Sequence, residues 1–210
     1  MSTAQVADRP TRRRGPKQPG ADVREALLGA GGALTAERGN ADWSLAEAAD
    51  RAGVTPAMVG YYFTNKRGFL AALLETGFQP VLARLEWEAG QAEAPDLEEL
   101  ARDLLQTISD RPWLPTLMLH GVIAGDTVRG EFTTRYGPRI AAAGQHLIAS
   151  AASQGRLRRD LDPQLGFLSA LATMVFPFLA RPIVEQVLGL RLDGDFAEAQ
   201  AAHIAKLFTP

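Results

Sequence analysis

Two short helical segments, separated by a glycine and a proline, constrain the fold of this chain more than any other feature. The run Ser44-Leu45-Ala46-Glu47 has the pattern of a capping box, in which a hydroxyl and a carboxylate satisfy backbone donors at a helix start. Gly53 stands where this helix must end, because glycine reaches the left-handed conformation at little steric cost. Thr55-Pro56 then begins a second helix, since threonine is a suitable N-cap and proline is tolerated at the first helical position. The pattern predicts two helices joined by a tight turn.

The second helix, Pro56 to Phe63, is predicted to have one buried and one exposed face. Helical spacing directs Val59 and Phe63 toward the first helix. The opposite face is predicted to carry hydroxyl-bearing and apolar side chains, namely Thr55, Met58, Tyr61 and Tyr62. A helix pair whose second member exposes such a face is a helix-turn-helix, and that second helix enters the major groove of DNA.

The rest of the chain also has helical periodicity. One helix is predicted from Asp22 to the stop at Gly39-Asn40, and another begins near Thr64-Asn65. Further helices are predicted near Phe78 to Ala92, Asp96 to Ser109, Trp113 to Ala124, Glu131 to Gln154, Pro163 to Leu188 and Asp195 to Phe208. The sequence therefore predicts an all-α fold, with a basic arm at 1–20, a three-helix helix-turn-helix head at 21–76 and a larger helical domain at 77–210.

Composition argues against several other functions. The chain contains no cysteine, which excludes disulfides, thiolate zinc sites and a cysteine nucleophile. The three histidines, at positions 120, 146 and 203, have no metal-ligand spacing, and no nucleophile elbow, phosphate loop or dinucleotide fingerprint occurs. We expect no metal, no cofactor and no enzymatic activity.

Charge and hydropathy are unevenly distributed. Residues 1–20 hold five basic side chains against one acidic one, which favours contact with a polyanion. The 18-residue run from Pro163 to Ala180 has no ionisable side chain, but its polar residues and Pro177 make a core or interface helix a better explanation than a membrane span. Without an apolar stretch after the N-terminal charges, no signal peptide is expected, and the predicted location is the cytoplasm.

The stretch from Ser44 to Leu74 resembles the DNA-binding head of the tetracycline-repressor (TetR) family. The matching residues, in order, are Ser44, Ala48-Ala49, Gly53-Val54-Thr55, Tyr61-Tyr62-Phe63, Lys66 and Leu70. One departure is Gly60, which stands where the family most often has Tyr or His, so that a phosphate contact would be lost or moved to Tyr61 or Tyr62.

The resemblance implies roles for residues in and beside the head. Lys66 would meet a DNA phosphate together with Ser44 and the helix N-terminus, and the basic arm would reach the adjacent minor groove. The predicted DNA-binding set is Arg12, Arg13, Arg14, Ser44, Thr55, Pro56, Met58, Tyr61, Tyr62 and Lys66.

The larger domain resembles the family more loosely. By that resemblance, the helices near 131–154 and 163–188 would form a four-helix bundle with a second chain. Residues expected at that interface are Leu165, Leu168, Leu171, Ala172, Val175 and Leu179, with Gly144, Ala149 and Ala152 allowing close approach. The same helices would surround a cavity for a mostly apolar ligand, for which the predicted lining is Trp113, Leu117, Met118, His120, Met174 and Phe178.

The resemblance implies a homodimeric regulator, most simply a repressor released from a palindromic double-stranded DNA operator by a small apolar effector. An alternative is a helical small-molecule-binding protein or enzyme whose head no longer binds DNA, which Gly60 keeps open. A second alternative is a helical adaptor that binds another protein through the uncharged Pro163 to Ala180 helix.

Overall fold

A computed structural model of the protein describes residues 20–210, with side chains from Asp22 onward. The arm residues Arg12, Arg13 and Arg14 lie outside the described residues. Between residues 20 and 210 the chain forms only helices and connecting loops, as predicted for an all-α fold. The α-helices are α1 (Gly20–Arg38), α2 (Leu45–Arg51), α3 (Pro56–Phe63), α4 (Lys66–Ala89), α5 (Leu97–Ser109), α6 (Trp113–Leu117), α7 (Arg129–Glu131), α8 (Gly137–Ser153), α9 (Pro163–Leu179), α10 (Arg181–Val187) and α11 (Gly194–Phe208). Two π-helical segments, π1 (Met118–Ile123) and π2 (Phe132–Tyr136), flank α7.

The first three helices and the start of α4 enclose an aromatic core. Trp43, in the loop before α2, packs edge-on against Phe69 at 5.1 Å between ring centroids. Its indole N–H donates to the hydroxyl of Thr35 at 2.9 Å, and that buried hydroxyl donates to the Gly31 carbonyl at 2.8 Å. Trp43 therefore ties the loop that precedes α2 to the middle of α1.

The glycine pair in α1 serves packing. Gly31 lies directly against the rings of Phe69 and Trp43, so a methyl group there would collide with both. A methyl group at Gly32 would lie 2.8 Å from the indole of Trp113. The two glycines weaken α1 as an isolated helix but allow three aromatic rings to approach its backbone.

Helix α4 is longer than predicted. The sequence predicts one helix starting near Asn65 and another near Phe78, whereas the structure has a single helix from Lys66 to Ala89. Gly77 and Pro80 are poor helix residues, but Gly77 is buried where a side chain would collide with Leu114. The predicted domain boundary at residues 76 and 77 thus falls inside a continuous helix.

The predicted helix from Trp113 to Ala124 changes its hydrogen-bonding pattern along its length. Its first part is α6, and from Met118 it continues as π1. The Arg129 guanidinium donates to the carbonyls of Val122 and Ile123 at 2.8 and 3.1 Å and also to that of Gly125. These bonds satisfy carbonyls that the end of a helix leaves without intrahelical partners.

The predicted helix from Pro163 to Leu188 is wrong in one respect, because it breaks at Ala180. Helices α9 and α10 meet there at an angle of 77°. Pro182 lies in the first turn of α10, and because a proline has no backbone N–H and its ring clashes with the carbonyl four residues earlier, α9 cannot continue regularly through this position. In the described part of the chain, no single helix is both long and apolar enough to cross a bilayer, and only this bent pair meets the length and composition test.

The structure predicts opposite effects for two alanine substitutions at glycines around the turn between α3 and α4. At Gly60 nothing lies within 4 Å of an added methyl group, so Gly60→Ala should raise the free energy of unfolding by up to about 1 kcal/mol through helix propensity. At Gly68 the methyl group would collide with the Phe63 carbonyl oxygen, so Gly68→Ala should lower the free energy of unfolding. Urea denaturation of both variants checks this prediction, and a loss of stability in Gly60→Ala would contradict it.

Candidate nucleic-acid interface and internal cavity

Helix α3 is braced by its inner face. Val59 and Phe63 are buried as predicted, and the Phe63 ring centroid lies 4.5 Å from that of Phe69 on α4. Thr55 occupies the N-cap position, yet its side chain makes no capping hydrogen bond, and Pro56 follows in the first turn. The hydroxyl of Thr55 therefore stays available at the surface.

Of the four side chains predicted on the outer face of α3, two are exposed. Tyr61 is 79% exposed and Thr55 is also exposed, as is Pro56, which belongs to the predicted DNA-binding set. Met58 and Tyr62 are half-buried against the core, and the ring of Tyr62 meets that of Tyr61 edge-on at 5.0 Å. The half-buried Tyr62 ring therefore packs against the exposed Tyr61 ring.

The capping box of α2 has the geometry that the sequence predicts. The Ser44 hydroxyl accepts from the Glu47 N–H at 3.1 Å, and the Glu47 carboxylate accepts from the Ser44 N–H at 2.7 Å. Glu47 also pairs with Arg38, and these contacts lower the pKa of the Glu47 carboxyl to about 2, with the Arg38 hydrogen bond as the largest cause. Because Ser44 is exposed, its O–H can still donate outward.

Lys66 occupies an unexpected position for a residue predicted to bind phosphate. Its ammonium donates to the Trp43 carbonyl at 2.6 Å and lies over the Trp43 indole ring. Burial lowers the pKa of the Lys66 ammonium to about 7, although Asp42 and Glu47 oppose this shift. The side chain would have to leave Trp43 to reach a phosphate.

Arg67 is a candidate phosphate-binding residue that the motif comparison missed. It is exposed and has no ion pair within the described chain, unlike Arg38 and Arg51, which pair with Glu47 and Glu37. Its place in the first turn of α4, directly after the α3–α4 turn, is visible in the sequence, but its free guanidinium is visible only once the surface ion pairs are known.

The turn between α3 and α4 is tight. Thr64 has a φ of 57°, which is rare for a β-branched residue, and the Asn65 side chain caps α4 by accepting from the Gly68 N–H at 2.9 Å. Gly68 is needed because the Phe63 carbonyl lies where its side chain would be. This close contact explains why a glycine, a poor helix former, stands near the start of α4, which the sequence alone does not explain.

The larger domain encloses a cavity of about 850 Å³. Helices α4, α5, α6, α8, α9 and α11, with π1 and π2, all contribute to its lining. The lining is apolar except for Asp96, Glu98, Arg156 and Thr209. Arg156 is held by the Ala94 carbonyl and by Glu93, at 3.4 Å from the latter.

Two of the six predicted ligand-binding residues line this cavity, namely Met118 and Met174. The other four lie elsewhere. Leu117 is fully buried against Gly121, His120 is exposed, and Phe178 packs edge-on against Phe196 at 6.0 Å. The lining residues that the prediction missed include Phe78, Leu104, Ile108, Phe132, Leu147 and Phe167.

Trp113 is the fourth predicted residue that does not line the cavity. Its side chain is inserted as a wedge between the head and the larger domain. Its indole lies between α1 and α4, where methyl groups at Gly32 and Gly77 would lie 2.8 and 3.0 Å from the ring. The next residue, Leu114, lines the cavity and also contacts Gly77. Helix α6 therefore touches the head with one residue and the cavity with the next.

The predicted close approach of α8 to a second chain needs one correction. Gly144 is buried within its own chain, where the ring of Phe167 on α9 lies directly against it. Ala149 is exposed and Ala152 half-buried, so these two remain compatible with an interface.

Comparison with known proteins finds similarity in structure. No family model matches the sequence, and no curated protein matches it significantly. A solved structure of the TetR-family transcriptional regulator PfmR from Thermus thermophilus is similar, with a TM-score of 0.68, 17% identity and coverage of 86% of this chain and 97% of that one. NalD from Pseudomonas aeruginosa, described as the secondary repressor of the MexAB-OprM multidrug efflux pump, is similar with a TM-score of 0.64, 20% identity and coverage of 91% and 98%.

A TetR/AcrR-family regulator from Thermobifida fusca is similar as well, with a TM-score of 0.63, 22% identity and coverage of 88% and 97%. The chain has the TetR fold. The resemblance first seen in the motif from Ser44 to Leu70 thus extends through the helical body, which the sequence matches only loosely.

The inward position of Lys66 predicts a pH dependence of stability. Its pKa falls from 10.5 to about 7 on folding, so between those values the unfolded chain binds more protons than the folded one, and stability increases with pH. Raising the pH from 7 to 10 should therefore increase the free energy of unfolding of the wild type relative to that of Lys66→Met. Urea denaturation at constant ionic strength measures this difference. Lys206→Met, at an exposed lysine of α11, is the matched control, and parallel curves for wild type and Lys66→Met would refute the assignment.

Proposed function

We propose that the protein is a ligand-responsive, DNA-binding transcriptional regulator. The observation that carries this proposal is a short helix, α3, held by Val59 and Phe63 while Thr55 and Tyr61 project from the surface. A braced helix with exposed polar and aromatic side chains at its start and on one face is what major-groove recognition requires.

Phosphate contacts would come from residues of the two helices that flank α3, namely α2 and α4. The Ser44 hydroxyl and the unpaired Arg67 guanidinium are exposed on either side of α3 in sequence. Lys66 would join them by exchanging the Trp43 carbonyl for a phosphate oxygen, a charge-assisted bond that offsets the loss of its present contact. The basic arm would add further sequence-independent contacts.

Dimerisation would supply the second recognition helix. The uncharged helix α9 exposes Leu165 and Leu168, and two copies of such a face can bury one another in a two-fold arrangement. Two α3 helices about 34 Å apart, or a multiple of that, would then read an operator with inverted half-sites.

The effector would occupy the cavity. An apolar lining of this size suits a small, mostly apolar molecule, with its polar groups limited to the section near Asp96, Glu98, Arg156 and Thr209. The apolar body of the effector would lie among side chains such as Phe132 and Met174.

Helix α6 would couple the effector to DNA. A ligand that displaces Leu114 or Met118 from the cavity wall would move Trp113, which is wedged against Gly32 of α1 and Gly77 of α4. Such a movement would change the spacing of the two heads. Ligand and DNA would then weaken one another by the same coupling free energy, about 1–3 kcal/mol, so that the effector relieves repression.

Selection from a pool of random-sequence duplexes tests the proposal directly. The protein should enrich an inverted repeat whose half-sites lie one or more helical turns apart. A pool that stays unenriched, with no binding of any duplex even at low salt, would leave the alternative of a helical ligand-binding protein without DNA affinity.

Variants around α3 should separate base contacts from phosphate contacts. We expect Tyr61→Ala to cost about 1–3 kcal/mol on the selected sequence and to relax its sequence preference. Arg67→Gln and Lys66→Ala should weaken binding to every duplex and reduce the salt slope by about one each. Fluorescence anisotropy titrations over a range of salt concentrations measure both effects. Arg159→Gln, which removes an exposed and unpaired arginine far along the chain, is the control, and an equal loss there would contradict the assignment.

The wedge at Trp113 should be needed for coupling. We expect Trp113→Ala to retain binding of an apolar fluorescent probe, N-phenyl-1-naphthylamine, within the cavity, while the effect of the probe on DNA affinity is lost. Trp87→Ala, at a tryptophan that is 58% exposed, should leave the coupling intact. Probe titrations with and without the selected duplex measure the coupling, and thermal denaturation establishes that both variants are folded. A normal coupling in Trp113→Ala would rule out this route.

A further inference from the structure

A buried hydroxyl group beside the cavity has no hydrogen-bond partner. Tyr136, the last residue of π2, is fully buried, and no polar atom of the described chain lies within hydrogen-bond distance of its Oη. Arg84 and Ser109 also contain a buried polar atom without a partner, but both residues are only half-buried. Because burying a hydroxyl without a partner costs free energy, such groups are rare in folded proteins.

The position of Tyr136 in the sequence places it within a row of residues that line the cavity. Phe132, four residues before it, and Ile140, four residues after it, both line the cavity, as do Gly144 and Ile148. Residues at this interval lie on one face of a helix. Tyr136 itself does not line the cavity, so the row is interrupted at the one residue that carries a hydroxyl.

Two phenylalanine rings form the cavity wall beside Tyr136. The ring centroid of Phe78 lies 5.1 Å from that of Phe132 and 6.0 Å from that of Tyr136. Phe78 and Phe132, here called the ring pair, are half-buried and line the cavity. Because one side of the ring pair borders open space, rotation of these side chains meets less resistance than in a close-packed core. A ligand that displaces the ring pair would reach the Tyr136 hydroxyl.

The backbone is also unusual at this place. Phe132 and Tyr136 are the first and last residues of π2, which lies between α7 and α8 in an unbroken helical run from Arg129 to Ser153. Segments of π-helix are rare, and they occur mostly as single turns within α-helices, frequently at functional sites. The unpaired hydroxyl and the π-helical turn are independent features, and they coincide at the cavity wall.

The charges around Tyr136 indicate which ligand group its hydroxyl would bind. Burial raises the pKa of the Tyr136 phenol, so the group stays protonated at neutral pH, and a phenol is a better donor than acceptor. The Arg135 guanidinium packs over the Tyr136 ring but already pairs with Glu75 and Glu131, at 2.9 and 3.1 Å. An anionic ligand group would therefore be buried without a free counterion, whereas an uncharged acceptor needs none.

We propose that Tyr136 is a concealed ligand-binding residue, and that the effector is a neutral, apolar molecule whose carbonyl or similar uncharged acceptor displaces the ring pair and accepts a hydrogen bond from the Tyr136 hydroxyl. This inference depends on the cavity of the proposed function but not on DNA binding. It adds one polar contact to those near Asp96 and Thr209, which belong to the polar section of the wall that is already open.

Two matched ligands and one conservative substitution test the proposal. In 2-isopropenylnaphthalene a CH2 group replaces the carbonyl oxygen of 2-acetylnaphthalene, and Tyr136→Phe removes only the hydroxyl. We expect Tyr136→Phe to bind 2-acetylnaphthalene about tenfold more weakly than the wild type does. Its affinity for 2-isopropenylnaphthalene should change less than about twofold, because that ligand has no acceptor. Displacement of N-phenyl-1-naphthylamine measures each dissociation constant.

Ser109→Ala is the matched control. It removes the other buried hydroxyl without a partner in the described chain, and Ser109 does not line the cavity, so both dissociation constants should stay at their wild-type values. Thermal denaturation should show Tyr136→Phe to be at least as stable as the wild type, since no hydrogen bond is lost. A clear fall in its stability would show that the hydroxyl already has a partner and would overturn the proposal.

The wild type provides a further measurement in protein labelled with 3-fluorotyrosine. The Tyr136 fluorine resonance, assigned by its absence in Tyr136→Phe, should shift further with 2-acetylnaphthalene than with 2-isopropenylnaphthalene. The proposal is overturned if both ligands shift it equally, if wild type and Tyr136→Phe bind 2-acetylnaphthalene equally, or if Ser109→Ala weakens that ligand as much. A protein that shows this selectivity but ignores every duplex would refute the proposed function and leave the inference standing.

Discussion

A helix of eight residues has too few internal hydrogen bonds to persist alone in water, and this constraint governs the head of the molecule. Helix α3 exists because Val59 and Phe63 anchor its inner face, and because α2 is held in turn by its capping box and by Trp43. Because the inner face of α3 is buried against the core, the opposite face is turned toward solvent. Exposure of Tyr61 is thus a consequence of how the helix is stabilised, and the proposed function uses that exposed face.

Close packing of large side chains against glycine recurs where helices must approach one another. The pairs are Gly31 with Phe69 and Trp43, Gly32 and Gly77 with Trp113, and Gly144 with Phe167. Such contacts leave little room for gradual adjustment, because a close-packed interior transmits displacement. The wedge at Trp113 therefore joins the cavity wall to the head through rigid contacts, which is the property that a ligand-driven change of head spacing requires.

Short-range signals allowed much of the fold to be predicted. The capping box at Ser44, the stop at Gly53 and the two faces of α3 depend on residues within a few positions of each other, and the structure confirms them, except that Met58 and Tyr62 on the outer face are half-buried. The inward turn of Lys66 toward Trp43 and the wedge at Trp113 depend on contacts between residues far apart in sequence. The continuity of α4 through Gly77 was missed for a related reason, since packing against Leu114 decides that this glycine does not end the helix. The break at Ala180 has a local signal in Pro182, which the helical periodicity outweighed in the prediction. Cavity lining could not be separated from ordinary core by residue type, so only Met118 and Met174 of the predicted set were found there.

The central claim is that the exposed face of α3 meets the DNA duplex, and the three tyrosines of the chain allow a direct measurement. Tyr61 and Tyr62 lie on α3, whereas Tyr136 is fully buried in the larger domain. Fluorine NMR of protein labelled with 3-fluorotyrosine should show the Tyr61 resonance shifting or broadening first as duplex DNA is added. The Tyr136 resonance should respond less. A titration in which the duplex binds but the Tyr61 resonance stays unchanged would contradict the account.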